Sequence, residues 1–270
     1  MSEAPYYIIE PKVKKVPFVL SVPHCGTQFP DELKSHYNPK LIQQPDDTDW
    51  FVERLYNFAT DLGITVIYAK YSRWVIDLNR SPESTPLYND GRIITSLTPT
   101  TDFFGNNLYI DKQFEPNEKE VNRRIEKYYQ PYYDKITQLL TGLQKEHKNV
   151  LLWDAHSIRT FVPTIRKEKF PDLILGDNDE QTADAQLIEI AHQGLKQSDY
   201  QVNHNTPFKG GYITRYFGNP NKNIHALQLE MVKSLYMQAD ELTFDEQKAE
   251  RVRKILRPIF QQLINQLEKL

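Results

Sequence analysis

The stretch "NVLLWDAHSI", residues 149–158, constrains the fold more than any other part of the chain. An unbroken apolar run, Val150 to Trp153, passes directly into Asp154, Ala155 and His156. A short apolar run of this kind, bounded by polar residues, reads as a buried strand. Alternation then puts Val150, Leu152, Asp154 and His156 on one face, so the acid and the imidazole emerge together at the strand's end. An Asp-Ala-His triplet after a strand can also simply open a loop, with the acid capping a turn. The rest of the chain decides between these readings.

Its neighbours in sequence alternate in type. "VPFVLSVPHCG" reads as a buried strand running into a loop, and "DDTDWFVERLYNFATDLG" as a helix opened by acids and closed by Gly63. "ITVIYAKYSRWVIDLNR" is rich in β-formers and predicts two strands. From "PNEKEVNRRIEKYY" to "LLTGLQKEHKN" the periodicity is helical, with Pro131 expected to interrupt it. Beyond the 149–158 strand come "DLILG", a helix across "QTADAQLIEIAHQGLKQ", the Gly-Gly loop "FKGGYITRYFG" and a strand "IHALQLEM". In the final helix Val252, Ile255, Leu256, Ile259, Phe260, Leu263 and Leu267 recur at helical spacing, which marks a packing face. Strands alternating with helices predict an α/β fold with a mixed, mostly parallel central sheet flanked by helices. No repeat or Gly/Ser linker divides the chain, so residues 1–270 are expected to form one catalytic domain. With 39% hydrophobic and 12% aromatic residues, the chain can fill its core.

The same totals exclude several classes of function. A formal net charge of -3 leaves no electrostatic footprint for nucleic acid. No apolar stretch approaches the roughly 20 residues of a membrane helix, and "MSEAPYYIIEPKVKK" lacks the apolar segment of a signal peptide. A cytoplasmic protein without membrane partners is expected. A single cysteine, Cys25, excludes intrachain disulfides and thiolate-rich zinc sites. Any metal therefore needs histidine and carboxylate ligands.

In open α/β sheets ligands bind beyond the carboxyl ends of the strands, which makes polar residues there informative. Three expected strands end in His24, His156 and Glu230, and the expected helix start adds Asp47 and Asp49. Two imidazoles and a carboxylate with an open fourth position suit catalytic zinc, and a further carboxylate can serve as general base. His225 begins the "IHALQLEM" strand on the face opposite Gln228 and Glu230 and is the reserve ligand. His36, His147, His192 and His204 sit in polar or helical contexts and receive no role. Cys25 beside His24 raises a cysteine-nucleophile alternative, but adjacent residues at a strand end point apart, and a free cysteine commonly packs as a small hydrophobe. "SRWVIDLNRSP" offers a carboxylate, an amide and a guanidinium in Asp77, Asn79 and Arg80, where Arg suits bidentate capture of a substrate carboxylate. A structural Asp-Arg pair with Asn79 in a turn explains the same string.

Taken together, "SVPHCGTQFP", "DTDWFVERLY", "YSRWVIDLNRSP", "LYNDG", "LTPTTDFFG", "LLWDAHSIR", "PDLILGD", "FKGGYITRYFGNP" and "IHALQLEM" resemble the N-formylglutamate amidohydrolase (deformylase) family, in order over roughly residues 16 to 237. That family is similar in turn to the zinc carboxypeptidase and aspartoacylase fold. The resemblance implies zinc, or another divalent metal, and hydrolysis of the small-molecule substrate N-formyl-L-glutamate to formate and L-glutamate in histidine degradation. By position it implies His24, His156 and Asp47 as metal ligands, with Asp49 the alternative acid. The wider group places a Glu three residues after its first histidine, where this chain has Thr27, so the acid must come from elsewhere. Glu230 matches the general base and Arg73 an oxyanion-stabilising arginine. Asn79 and Arg80 match substrate-carboxylate binders, Arg215 would hold a second carboxylate, and Arg92 and Arg159 are substitutes. Asp154 would orient the His156 ring or a neighbour from behind. Another N-acyl-amino-acid deacylase, a carboxypeptidase-like peptidase and a non-catalytic dicarboxylate binder remain the alternatives.

Overall fold

A computed structural model describes residues 3–83 and 96–270; "LYNDG" and Arg92 lie outside the described residues. Among those described, strands β1 (Tyr6–Ile9), β2 (Phe18–Val22), β3 (Thr65–Ala69), β4 (Val150–Ile158), β5 (Leu173–Gly176), β6 (Val202–His204) and β7 (Ile224–Val232) form one sheet. Its order is β1-β3-β2-β4-β7-β5-β6. β2 runs parallel to β3 and β4, β4 to β7, and β5 to β6, while β1 on β3 and β5 on β7 are antiparallel. The helices are α1 (Asp31–Lys34), α2 (Val52–Leu55), α3 (Glu118–Arg124), α4 (Gln130–Leu143), α5 (Ala185–Lys196), α6 (Tyr212–Phe217) and α7 (Glu246–Leu267). The expected mixed, mostly parallel sheet flanked by helices is what the chain forms.

Every residue of β4 is buried, as its apolar run demands. Leu151, Trp153 and Ala155, with Leu227, Leu229 and Met231 of β7, pack against α5 and α7. Val150, Leu152 and Ala226 face Tyr132, Tyr133 and Ile136 of α4 on the other side. Burial of each large apolar side chain contributes about 1.5–3 kcal/mol, which offsets the cost of carrying an acid and an imidazole on the same strand. The β4–β7 register sets Asp154 opposite Gln228 and His156 opposite Glu230. By alternation, all four lie on the α4 side of the sheet.

Local structure departs from the sequence pattern in three places. The helix expected across residues 46–63 shrinks to the four residues of α2 and a 3-10 turn, Asn57–Leu62. Phe51 sits at φ 63°, a costly conformation for a bulky residue, and the chain before it is loop. The acids of that loop are held by distant partners, which a helical start would pull them away from. Secondly, the expected strand after β3 does not form. Its backbone carbonyls meet side-chain donors in place of a neighbouring strand: Tyr37 Oη donates to Trp74 O, Arg124 to Val75 O, Tyr133 Oη to Leu78 O and Tyr129 Oη to Arg80 O. Thirdly, Pro131 does not break the long helix. A π-helical turn, Ile125–Tyr129, precedes it and Pro131 falls in the first turn of α4, where a missing N–H is tolerated.

Candidate active site

β2 delivers His24 just beyond its carboxyl end, β4 carries His156, and the loop before α2 brings Asp49 between them. One ligand atom from each lies within 4.8 Å of the others, and all three residues are buried. Asp49 Oδ2 lies 3.1 Å from His156 Nδ1 and 3.8 Å from His24 Nδ1. The outer nitrogens are braced by carboxylates: His24 Nε2 is 2.7 Å from Asp77 Oδ1 and His156 Nε2 is 3.0 Å from Asp154 Oδ2. A carboxylate behind each ring fixes its orientation and favours a proton on Nε2, which turns Nδ1 toward Asp49.

Burial lowers the His24 pKa to about 4, with the Arg73 charge acting in the same direction and Asp77 opposing. His24 is therefore neutral and ligand-competent at pH 7. Burial also works to lower His156, but the Asp154 and Asp49 carboxylates outweigh it and hold that ring well above its usual value. Burial works to raise Asp49 too, but His156, His24 and Arg73 prevail and lower it. Glu230 is different. It is 9% exposed, makes no hydrogen bond among the described residues, and burial pushes its pKa up to about 8 while His156 opposes and Asp49 reinforces the rise.

The donor set fits a divalent cation. Two imidazole nitrogens and a carboxylate oxygen converge, each ring is braced from behind, and buried acid exceeds buried base: Asp47, Asp49, Asp77, Asp154 and Glu230 belong to this region with Arg73, Lys233 and the raised His156 as its buried cations. Such an excess of carboxylates is costly without a further positive charge.

Asp47, the acid first expected as ligand, is not part of the cluster. Its carboxylate accepts from Trp74 Nε1 at 2.9 Å and from the Phe103 N–H at 3.0 Å, and Asp49 occupies the inner position. Asn79 is oriented by its neighbours: its Oδ1 accepts from Ile213 N–H at 2.8 Å, so its Nδ2 points toward Gln228 Oε1 at 3.5 Å and lies 3.0 Å from His156 Nε2. An amide so held orients its neighbours. Arg73 reaches the site but pairs with Asp77 Oδ2 at 2.6 Å and lies over the Phe103 ring. Arg80 is half-buried with Nη1 3.3 Å from Asn79 O, and Arg215 is half-buried with Nε donating to Gly210 O at 2.9 Å. Arg159 forks onto Asp46 and reaches Glu241. His225 accepts from Asp184 N–H and faces Asn149, so it braces the start of α5. The Cys25 thiol is buried against Val22 O, and burial holds its pKa well above the ordinary range, the reverse of an activated nucleophile.

Three residues of this region carry roles that the sequence pattern did not single out. Asp77 braces His24; the acid of the "DLNR" string was the available signal. Gln228 lies two residues before Glu230 and shares its face by strand alternation. Lys233, buried at the end of β7, donates to Asp46 O at 3.0 Å and pins the loop that bears Asp49; its sequence context, an isolated lysine after a strand, has no distinguishing mark.

With this geometry in hand, similarity to known proteins becomes informative. The profile of the N-formylglutamate amidohydrolase family matches residues 16–237. An N-formylglutamate deformylase of Pseudomonas putida is 38% identical over 253 residues, covering 93% of both chains. One of Pseudomonas aeruginosa is 35% identical over 255 residues, with 93% of both chains covered. The crystal structure of an N-formylglutamate amidohydrolase from Ralstonia eutropha superposes with a TM-score of 0.83 at 24% identity, over 99% of each chain, and establishes likeness of fold.

Proposed function

Because this chain belongs to the N-formylglutamate amidohydrolase family, we propose that it hydrolyses the formyl amide of N-formyl-L-glutamate to formate and L-glutamate, with Glu230 as the general base. The observation that carries the reading is the juxtaposition across β4 and β7: His156, in the candidate metal cluster, stands opposite Glu230, a buried carboxylate with no hydrogen bond among the described residues. We place the step in cytoplasmic histidine breakdown, in line with the family resemblance.

His24, Asp49 and His156 would hold a divalent ion, zinc by donor type, whose Lewis acidity polarises a carbonyl oxygen and acidifies water. Asp77 and Asp154 keep the two rings in place. Glu230 takes a proton from the attacking water and returns it to the amide nitrogen as the C–N bond breaks, so that formate and the free amine leave. A base needs a pKa near the working pH, and burial moves Glu230 in that direction. Arg73, held by Asp77, offers positive charge to the oxygen of the tetrahedral adduct. Arg80 and Arg215 supply guanidinium groups suited to the two carboxylates of the substrate.

The test is metal analysis with a formate-release assay on N-formyl, N-acetyl and N-succinyl amino acids and small peptides. Chelation is expected to abolish release from N-formyl-L-glutamate and a divalent ion to restore it. Full turnover in metal-free protein, or preference for another acyl group or a peptide, defeats the proposal.

A further inference from the structure

Gln228 sits on β7, two residues before Glu230, and is 4% exposed. The orientation of its amide is decided by its neighbours. Gly211 N–H can only donate and lies 2.7 Å from Oε1, and Asn79 Nδ2, whose own orientation is set by Ile213 N–H, faces the same oxygen at 3.5 Å. Oε1 is therefore the acceptor and Nε2 the end left over. Among the described residues Nε2 has no hydrogen-bond partner, yet it is not shut off from solvent in the way that Asp154 Oδ1 and Thr214 Oγ1 are. A side chain this deeply buried thus keeps an amide nitrogen that is partly accessible and has no partner among the described residues.

We infer that Gln228 is a substrate-recognition residue whose Nε2–H donates to a carboxylate of the substrate. Three observations support this. Asn79, where the family pattern leads one to expect an amide donor, has its Oδ1 taken by Ile213 N–H and its Nδ2 turned toward Gln228 Oε1. Gln228 is reached from His156 through Asn79, on the side of the ring opposite the Nδ1 that faces Asp49, so its donor is set back from the metal-facing atoms of the cluster. Arg80 and Arg215, the arginines matched to the substrate carboxylates, are anchored on Asn79 O and Gly210 O, each within one residue of the groups that hold Gln228. A methyl group on Gly211 would collide with the Asn79 amide, so glycine is what allows the loop to approach closely enough to lock Oε1.

The identity of the ligand rests on the proposed hydrolysis; the direction of the amide does not. The experiment measures L-glutamate affinity by calorimetry and KM for N-formyl-L-glutamate in the metal-loaded wild type, Gln228→Glu and Gln228→Met. Gln228→Glu keeps an oxygen for Gly211 N–H but replaces the donor by a repelling charge. Both Kd and KM should rise about ten- to hundred-fold, the worth of a charge-assisted hydrogen bond, with kcat falling much less. A role confined to holding the Gly211 loop predicts instead that Gln228→Glu stays within about twofold of wild type and that only Gln228→Met suffers; that result overturns the assignment. Should Gln228→Glu not fold, Gln228→Met is compared on N-formyl-L-glutamate and on a neutral N-formyl amino-acid diamide: a loss confined to the dicarboxylate supports the assignment, an equal loss on both refutes it. Wild type that binds L-glutamate through Gln228 but releases no formate refutes the hydrolysis and keeps the inference. Formate release with a KM indifferent to Gln228→Glu does the reverse, and a wild type that neither binds nor hydrolyses defeats both.

Discussion

His24 Nε2 lies 2.7 Å from Asp77 Oδ1, and the other oxygen of the same carboxylate receives Arg73 at 2.6 Å. One buried acid therefore orients a candidate metal ligand and a candidate oxyanion group together. Exchanging the carboxylate for its neutral isostere, in Asp77→Asn, should weaken zinc binding by about 10- to 100-fold, as loss of a ligand's supporting carboxylate does. Arg73 is left buried without its partner, so the variant should also lose about 3–5 kcal/mol of stability. Competition with a chromophoric chelator and thermal unfolding measure the two effects, and unchanged zinc affinity would show that Asp77 does not act through His24.

Asp49 and Asp47 are separated by their partners. Asp49→Asn removes the carboxylate at the centre of the cluster, and the purified protein should contain little metal and release little formate. Asp47→Asn should keep its metal and lose stability instead, by about 1–3 kcal/mol, through weakened acceptance from Trp74 and Phe103. Metal content by atomic emission decides between them, and the opposite pattern would return Asp47 to the ligand set.

Glu230→Gln keeps the shape of the side chain but removes the base, so kcat should fall by about 10²- to 10⁴-fold with metal content retained. The base acts as a carboxylate, so wild-type kcat/KM should decline as pH falls, with a midpoint between the ordinary 4.5 and about 8, since a bound cation draws the raised value down. In chelated protein the raised pKa has a stability consequence. Its contribution is fully present below about 4.5 and is lost as pH rises through about 8, because the folded state holds the proton longer. Thermal unfolding of chelated wild type and Glu230→Gln across that range should differ in slope; parallel curves would mean that Glu230 titrates normally.

Cys25→Ala should retain most formate release and all metal, because the thiol is buried against Val22 O with its pKa held high. The expected loss is confined to packing, about 1–2 kcal/mol by chemical denaturation. Loss of turnover in a folded, metal-loaded variant would reopen the cysteine mechanism.

Short-range pattern determined more of this protein than its long-range chemistry. The strand β4, the emergence of Asp154 and His156 on one face, and the placement of His24 and Glu230 at strand ends are all written in local alternation, because side-chain direction in a strand follows from the backbone alone. Even the bracing of His156 by Asp154 is a contact two residues apart. The choice of Asp49 over Asp47 is not local: it depends on Trp74 and Phe103, 27 and 56 residues along the chain, which take the Asp47 carboxylate. The Asn79 amide is oriented by Ile213, 134 residues away, and that of Gln228 by Gly211, 17 residues away. The same competition erased the helix start at residues 46–51 and the strand after β3, where distant side chains meet backbone groups and loop acids that periodicity would have given to regular structure. A sequence pattern sets which way a polar group leaves the backbone. Which donor it meets is settled only when remote segments pack, because a buried polar group must be paired with whatever the tertiary fold brings within hydrogen-bond distance.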